Sequence, residues 1–162
     1  MNVLEKISSY NLITNLIPGA VLTEAFRAAG FPVVNSSSFA AWTVLAYMLG
    51  LVSNRLGALA TKIKALGGAR KNRYEDFVKA SIEDKKLEIL VETANGYRTF
   101  IGACIIFSLV NVSNYFVRIN DNSWALYTAL LLASLFIIFT TSYRRQNLFI
   151  EKRVRRICDG NA

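Results

Sequence analysis

Few residues in this chain of 162 could carry out chemistry, and the types that are missing narrow the choice. There is no histidine, which removes the commonest general base and the commonest metal ligand. Adjacent carboxylates occur at Glu75-Asp76 and Glu83-Asp84, a pattern typical of solvated helix surfaces where carboxylates compensate the helix dipole. The sequence has no metal-spaced cluster of cysteines and carboxylates, no glycine-rich phosphate loop and no nucleophile elbow. We therefore expect a protein that is not an enzyme, with no catalytic residue, no metal site and no cofactor.

Polar residues interrupt an apolar segment near the start of the chain, SSYNLITNLIPGAVL. Asn11 and Asn15 lie one helical turn apart on one face, where a neighbouring helix could accept their hydrogen bonds. Pro18 removes a backbone donor and predicts a kink, and Gly19 allows another backbone to come close. These residues predict a helix shaped for contact. The contact could lie within one chain, at an oligomer axis or in a gate.

Further polar residues lie in segments that are otherwise apolar. Glu24 is followed three residues later by Arg27, and Asn111 and Asn114 interrupt a later apolar run. Ionisable groups inside a membrane are costly, so they usually face protein or water. Glu24 either pairs with Arg27 near the outer interface or lies at a pore mouth or subunit contact. The two asparagines are candidates for helix packing, an oligomer interface or a pore lining.

Apolar residues are concentrated in four runs, at 11–31, 39–60, 99–117 and 124–143. Each run approaches the roughly 20 residues that a helix needs to cross a hydrocarbon core. The chain is 53% hydrophobic with a mean hydropathy of +0.33, although its formal net charge is +8. We therefore expect an all-α membrane protein with four transmembrane helices in a single membrane domain over 1–162. A soluble bundle of buried helices is the alternative.

The basic residues are distributed unevenly between the segments that separate these runs. Seventeen of the nineteen Lys and Arg residues fall at the N-terminus, from Arg55 at the end of the second run to Arg98 before the third, or in the tail. Positive residues are retained in the cytoplasm, so this bias predicts four spans with both termini on the cytoplasmic side. It also places a helical insert, 61–98, and a basic tail, 144–162, in the cytoplasm.

The insert carries a single apolar stripe. Its apolar residues recur at three- and four-residue intervals, at Leu87, Leu90, Val91, Ala94, Tyr97 and Ile101. This spacing predicts one helix that runs into the third span, and Ser81 with Asp84 resembles a capping box at its start. We expect the stripe to pack on an inward extension of the second span, or otherwise on a neighbouring subunit. The predicted architecture is a cytoplasmic helical hairpin that extends the second and third spans.

Basic residues of the insert and the tail are candidates for docking. They are Lys85, Lys86, Arg144, Arg145, Arg153, Arg155 and Arg156. Anionic lipids of the inner leaflet are the first expected partner, since each Lys or Arg near the surface contributes about 1 kcal/mol. An acidic soluble protein is the second. Charge alone does not distinguish these from nucleic acid, although we do not expect direct nucleic acid binding.

Four blocks of the sequence, taken together, resemble a family of small bacterial membrane proteins. They are SSYNLITNLIPGAVL near the start, LAYMLGLVSNRLGAL in the second run, YEDFVKASIEDKKLEILVETANGYRTF in the middle and YRRQNLFIEKRV near the end. Members of this family have four spans, lie in the inner membrane and are associated with phage-defence loci. The chain also looks like the four-span membrane subunit of the Kiwa system, which works with a soluble DNA-binding partner. The resemblance supplies no catalytic motif.

Three functions are compatible with these features. The first is a homo-oligomeric inner-membrane component of anti-phage defence that docks a soluble cytoplasmic partner. The second is a pore-forming effector that conducts ions and depolarises the membrane on activation. The third is a non-conducting scaffold or an immunity protein.

Overall fold

The computed structural model describes residues 3–31, 38–67, 74–117 and 122–160, and these ranges are almost entirely helical. Side chains are described for 12–31, 38–66, 74–112 and 126–159. The helices are α1 (Val3–Ala28), α2 (Phe39–Ala60), α3 (Lys64–Gly67), α4 (Tyr74–Glu83), α5 (Lys86–Val117) and α6 (Asn122–Gly160). The prediction of an all-α protein is confirmed.

Two helices in these ranges are long and apolar enough to cross a membrane, namely α2 and the Leu126–Asp159 part of α6. The first of them, α2, has the bounds of the second apolar run. Two helices are longer than the spans predicted at 99–117 and 124–143, since α5 has 32 residues and α6 has 39. At about 1.5 Å per residue they are about 48 and 58 Å long, well above the roughly 30 Å of a hydrocarbon core.

Small residues bring three of the helices into backbone contact. The buried residues of α2 fall four, three and four positions apart: Ala46, Gly50, Ser53 and Gly57. In α1, Gly19 lies against the backbone of Ala46 and Gly50, and in α5 Gly102 lies against Ser53 and Gly57. Such residues drive packing where no hydrophobic effect is available, because they let backbones approach closely. The central helix of the bundle is therefore α2, with α1 on its first half and α5 on its second.

A second packed unit forms where α4, the first half of α5 and the last part of α6 meet. Its buried core consists of Ala80, Leu87, Ala94, Ile150 and Val154, with Phe77, Leu90, Val91, Tyr143, Ile157 and Cys158 packed around it. We call this unit, over 74–94 and 143–158, the three-helix module. Two aromatic contacts join α5 and α6 just outside this module, because Phe139 of α6 stacks on Phe100 at 4.6 Å and lies 6.5 Å from Tyr97.

The partner of the apolar stripe on α5 differs from the one predicted. The stripe packs on α6 and α4, whereas α2 ends at Ala60 and is followed by the separate one-turn helix α3. The physical reason is that α6 continues beyond the apolar run as one helix, and Ile150, Val154 and Ile157 fall on one face of it. The prediction of a hairpin that extends the second and third runs is therefore wrong. The extension is built from α5 and α6, with α4 packed against them.

The start of α5 also differs from the prediction. Ser81 lies inside α4, where its hydroxyl donates to the carbonyl of Val78 at 2.8 Å. Asp84 stands between the two helices, and its Oδ1 accepts a hydrogen bond from the backbone N–H of Lys86 at 3.0 Å. Asp84 is thus the N-cap of α5, in agreement with the strong preference for aspartate at this position.

The close crossing of α1 and α2 generates a first prediction. A Cβ at Gly50 would collide with the backbone carbonyl of Asn15, whereas a Cβ at Gly96 in α5 would meet nothing within 4 Å. We expect Gly50→Ala to destabilise the protein by about 1–3 kcal/mol through overpacking. Gly96→Ala, the matched control, should leave stability unchanged or raise it by up to about 1 kcal/mol through helix propensity. Thermal unfolding in detergent measures both, and equal melting temperatures would contradict the close crossing.

Candidate functional site

A polar chain crosses the bundle at the level where α1, α2 and α5 meet. Asn54 in α2 donates from Nδ2 to Oδ1 of Asn15 at 3.0 Å, and Arg98 in α5 donates from Nη2 to Oδ1 of Asn54 at 2.9 Å. Asn15 is only 3% exposed. Leaving a buried group of this kind without its partner costs about 1–3 kcal/mol, and more when the group is charged. These two hydrogen bonds therefore fix the relative positions of α1, α2 and α5.

Two members of this polar chain are absent from the sequence-based candidates. The sequence places Arg98 only among the basic residues of the insert, and Asn54 only at the start of the polar part of the second run. Arg98 is half-buried, and its Nε has no hydrogen-bond partner among the described residues. One signal in the sequence indicates that Asn54 lies near a helix contact: it directly follows Ser53, which belongs to the stripe of small residues in α2.

The candidates in α1 lie against α2. Pro18 is buried, and α1 continues through it without a break. Glu24 accepts a hydrogen bond at Oε1 from Nε1 of Trp42 at 3.0 Å, and its Oε2 pairs with Arg27 at 2.6 Å. The Glu24–Arg27 pair is partly exposed, and the bond to Trp42 ties it to the start of α2.

The later asparagines do not join this network in the described part of the chain. Asn111 donates from Nδ2 to the carbonyl of Phe107, one turn earlier in its own helix, at 2.8 Å. The side chains of Asn11 and Asn114 lie outside the described residues.

The basic docking candidates include paired and exposed side chains. In α6, Arg153 pairs with Asp84, Arg155 pairs with Glu151 at 2.6 Å, and Arg145 lies 5.7 Å from the ring centre of Phe149. Every candidate except Arg153 is exposed, and Lys85, Lys86, Arg144 and Arg156 are exposed without forming any of these three contacts.

One carboxylate holds the module together at the junction of its helices. Asp84 caps α5 through one oxygen and binds Nε of Arg153 in α6 through the other. The hydrogen bond from Arg153 holds the pKa of Asp84 below its ordinary value, with a smaller contribution from the backbone N–H of Lys86. The ion pair fixes the position of α6 relative to the start of α5.

A groove of about 540 Å³ lies between α5 and α6 next to this pair. Its lining residues are Asp84, Leu90, Phe149, Lys152, Arg153, Arg156 and Ile157. Three cations and one carboxylate form its rim, and apolar side chains from both helices form its floor. We refer to it as the basic groove.

Comparison of the chain with protein-family models, with curated proteins and with solved structures finds no match. Among the described residues, no group of three or more Cys, Asp or Glu side chains could hold a metal ion. Within the described ranges, the fold and the site define an all-helical protein with two helices apolar enough to span a membrane. A polar chain is buried in its bundle, and a basic module is carried by its two longest helices.

The Asp84–Arg153 pair generates a pH-dependent prediction. Because the pKa of Asp84 is lowered in the folded state, the pair stabilises the fold above the unfolded pKa of about 4. This contribution is lost as the pH falls through the lowered, folded-state pKa. Asp84→Asn keeps a capping oxygen but removes the charge, so its melting temperature should lie below that of the wild type at pH 7. The difference should shrink below about pH 4.

Asp159→Asn is the control for this experiment, since Asp159 is an exposed carboxylate in the last turn of α6. It should follow the wild type at every pH. A difference between wild type and Asp84→Asn that does not change with pH would contradict the ion pair.

Proposed function

We propose that this protein is an inner-membrane component of a bacterial anti-phage defence system, a homo-oligomer that docks a soluble cytoplasmic partner. In this proposal α1, α2, the second half of α5 and the first half of α6 are the four spans. Both termini and the module lie in the cytoplasm, as the distribution of Lys and Arg supports. The resemblance of the four sequence blocks to defence-associated membrane proteins supports the biological setting.

The observation that carries the proposal is how far the basic residues stand from the membrane. The apolar run of α6 ends at Tyr143, and Lys152 and Arg156 follow it by nine and thirteen residues. At 1.5 Å per residue they lie about 13 and 19 Å further along the helix. Headgroups extend only about 5–8 Å beyond the hydrocarbon on each side, and a typical tilt of about 20° changes these distances little. Anionic lipid can therefore meet Arg144 and Arg145, but the acidic surface of a protein suits the distal cations better.

The polar residues of α1 favour this proposal over a conducting pore. A pore lined by α1 would have to present Asn15 and Glu24 to water. Asn15 is almost completely buried against α2, and Glu24 is bound by Trp42 and Arg27 within the same chain. Both residues are engaged in joining helices.

The proposal is tested by charge reversal at the start of α5. Lys85 and Lys86 are exposed on the module, next to the cap at Asp84. Lys85→Glu with Lys86→Glu should lower the affinity for the cytoplasmic partner about tenfold, equivalent to about 1.4 kcal/mol, because opposed charges are lost and like charges introduced. The measurement is quantitative co-purification from the native host, followed by a binding titration with the protein recovered.

The control reverses two other exposed lysines, Lys62→Glu in the turn after α2 with Lys64→Glu at the first residue of α3. It changes the net charge equally and should change the affinity less than twofold. If both double variants retain every partner, the docking surface is not on α5. If both lose it equally, the binding is a general attraction to positive charge.

A further inference from the structure

The helix α4 has two apolar faces, and only one of them is buried. Phe77 and Ala80 face the core of the module. Tyr74, Val78 and Ile82 fall at intervals of four residues on the other face, and they are 81%, 37% and 77% exposed. An exposed apolar stripe of this kind on a structured helix marks an interaction surface.

Lipid is out of reach of this stripe in the proposed orientation. The carbonyl of Asp76 accepts a weak hydrogen bond from Sγ of Cys158 at 3.6 Å, and Asp84, just after α4, pairs with Arg153. Arg153 and Cys158 lie ten and fifteen positions beyond Tyr143, or about 15 and 22 Å along the helix. The stripe therefore stands in the cytoplasm, beyond the headgroups.

The basic groove lies on the opposite side of α6 from α4. Cys158, which contacts α4, and Phe149, which lines the groove, are nine residues apart. At about 3.6 residues per turn this is two and a half turns, so the two side chains leave α6 in opposite directions. One side of the module presents an exposed apolar helix, and the other presents a groove with an apolar floor.

We propose that α4 of one copy occupies the basic groove of the next copy. The stripe Tyr74–Val78–Ile82 packs on Leu90, Phe149 and Ile157. Glu75, on the exposed side of α4, faces Lys152 and Arg156 on the groove rim. The charges agree with this pairing, because α4 has a net charge of −2 from Glu75, Asp76, Lys79 and Glu83, and the groove residues carry +2.

This contact joins copies head to tail, and it forms a closed ring when the rotation from copy to copy closes. It joins two different surfaces on opposite sides of one chain, which is a heterologous interface that propagates from copy to copy. A membrane gives every copy the same orientation, so the copies are related by rotation about the membrane normal. This step rests on the topology in the proposed function. The ring specifies which face of the proposed homo-oligomer is shared and leaves the exposed lysines at the start of α5 for the soluble partner.

A second copy suits the groove better than an unrelated acidic helix does. The complementary helix is carried by the same chain, and confinement to one membrane raises the effective concentration of copies for one another. A foreign acidic helix would leave the stripe on α4 exposed to water.

Disulfide trapping between two differently tagged copies tests the contact. Both copies carry Cys104→Ala and Cys158→Ala to remove the native thiols; one adds Ile82→Cys and the other Phe149→Cys. We expect a cross-linked pair carrying both tags in membranes under mild oxidation. Ile89→Cys paired with Phe149→Cys is the control, since Ile89 is an equally apolar, exposed residue on the outer face of α5. It should give roughly tenfold less product, because its effective concentration at the groove is low.

A charge exchange provides the second measurement. Lys152→Glu should reduce the cross-link, and addition of Glu75→Lys should restore it, which a fold defect would not do. Equal cross-linking by Ile82→Cys and Ile89→Cys would overturn the proposal. So would an oligomer with the mass of the wild type in which Ile82→Cys forms no disulfide with Phe149→Cys. Cross-linking of Phe149→Cys to a soluble protein in place of a second copy would also overturn it.

Partner docking distinguishes failure of this inference from failure of the proposed function. An Ile82→Lys variant should lose the ring while each copy still binds the soluble partner through Lys85 and Lys86. Loss of the ring contact with partner binding intact supports the inference. If the chain is a monomer in mild detergent and in membranes, both the ring and the proposed homo-oligomer are wrong.

Discussion

The module of this protein depends on how α5 buries its apolar stripe beyond the bundle. Leu87 of α5 and Val154 of α6 are almost fully buried in the module core. Burial of a side chain of this size contributes about 1.5–3 kcal/mol, so the five buried residues of the core outweigh a partly exposed ion pair. The pair between Asp84 and Arg153 sets the register of the helices, and apolar burial holds them together. Because α6 supplies two of the five buried residues of this core, its last part continues as a single helix packed beside α5.

The bundle is held together by a different kind of contact. There the buried face of α2 consists of small residues, and the backbones of α1, α2 and α5 touch at Gly19, Gly50, Gly57 and Gly102. Such crossings gain from dispersion contacts and interhelical hydrogen bonds, which remain effective where lipid replaces water. The polar chain from Asn15 through Asn54 to Arg98 adds directional hydrogen bonds between the three helices to this packing. The chain therefore changes from close backbone packing to burial of larger side chains along the length of α5.

Much of the helix content could be predicted from the sequence, but the pairing of helices could not. The apolar run at 39–60 coincides with α2, but the predicted inward continuation of this helix is wrong, because α2 ends at Ala60. The runs at 99–117 and 124–143 located only parts of α5 and α6, since the helices continue as amphipathic segments. Periodicity shows which face of a helix is apolar, but it does not show which other face will cover it, and so the stripe on α5 was assigned to the wrong partner. The bond from Asn54 to Arg98 was missed for the same reason, because the two residues are 44 positions apart and are joined only by the crossing of α2 and α5.

The central claim is that α6 leaves the membrane as one helix and carries the module beyond the lipid headgroups. Single cysteines placed along α6 from Ile137 to Ile157, in a protein without native thiols, would be labelled with a membrane-impermeant maleimide in inside-out vesicles. The account predicts no labelling up to Phe139, and rapid labelling at Leu148 and Arg155, which are exposed and lie outside the basic groove. It also predicts protection at Ile150 and Val154, which are buried in the module. Labelling that is equal at Ile150 and Arg155, or protection at Leu148 and Arg155 that depends on anionic lipid, would show that the tail lies on the membrane and would contradict the account.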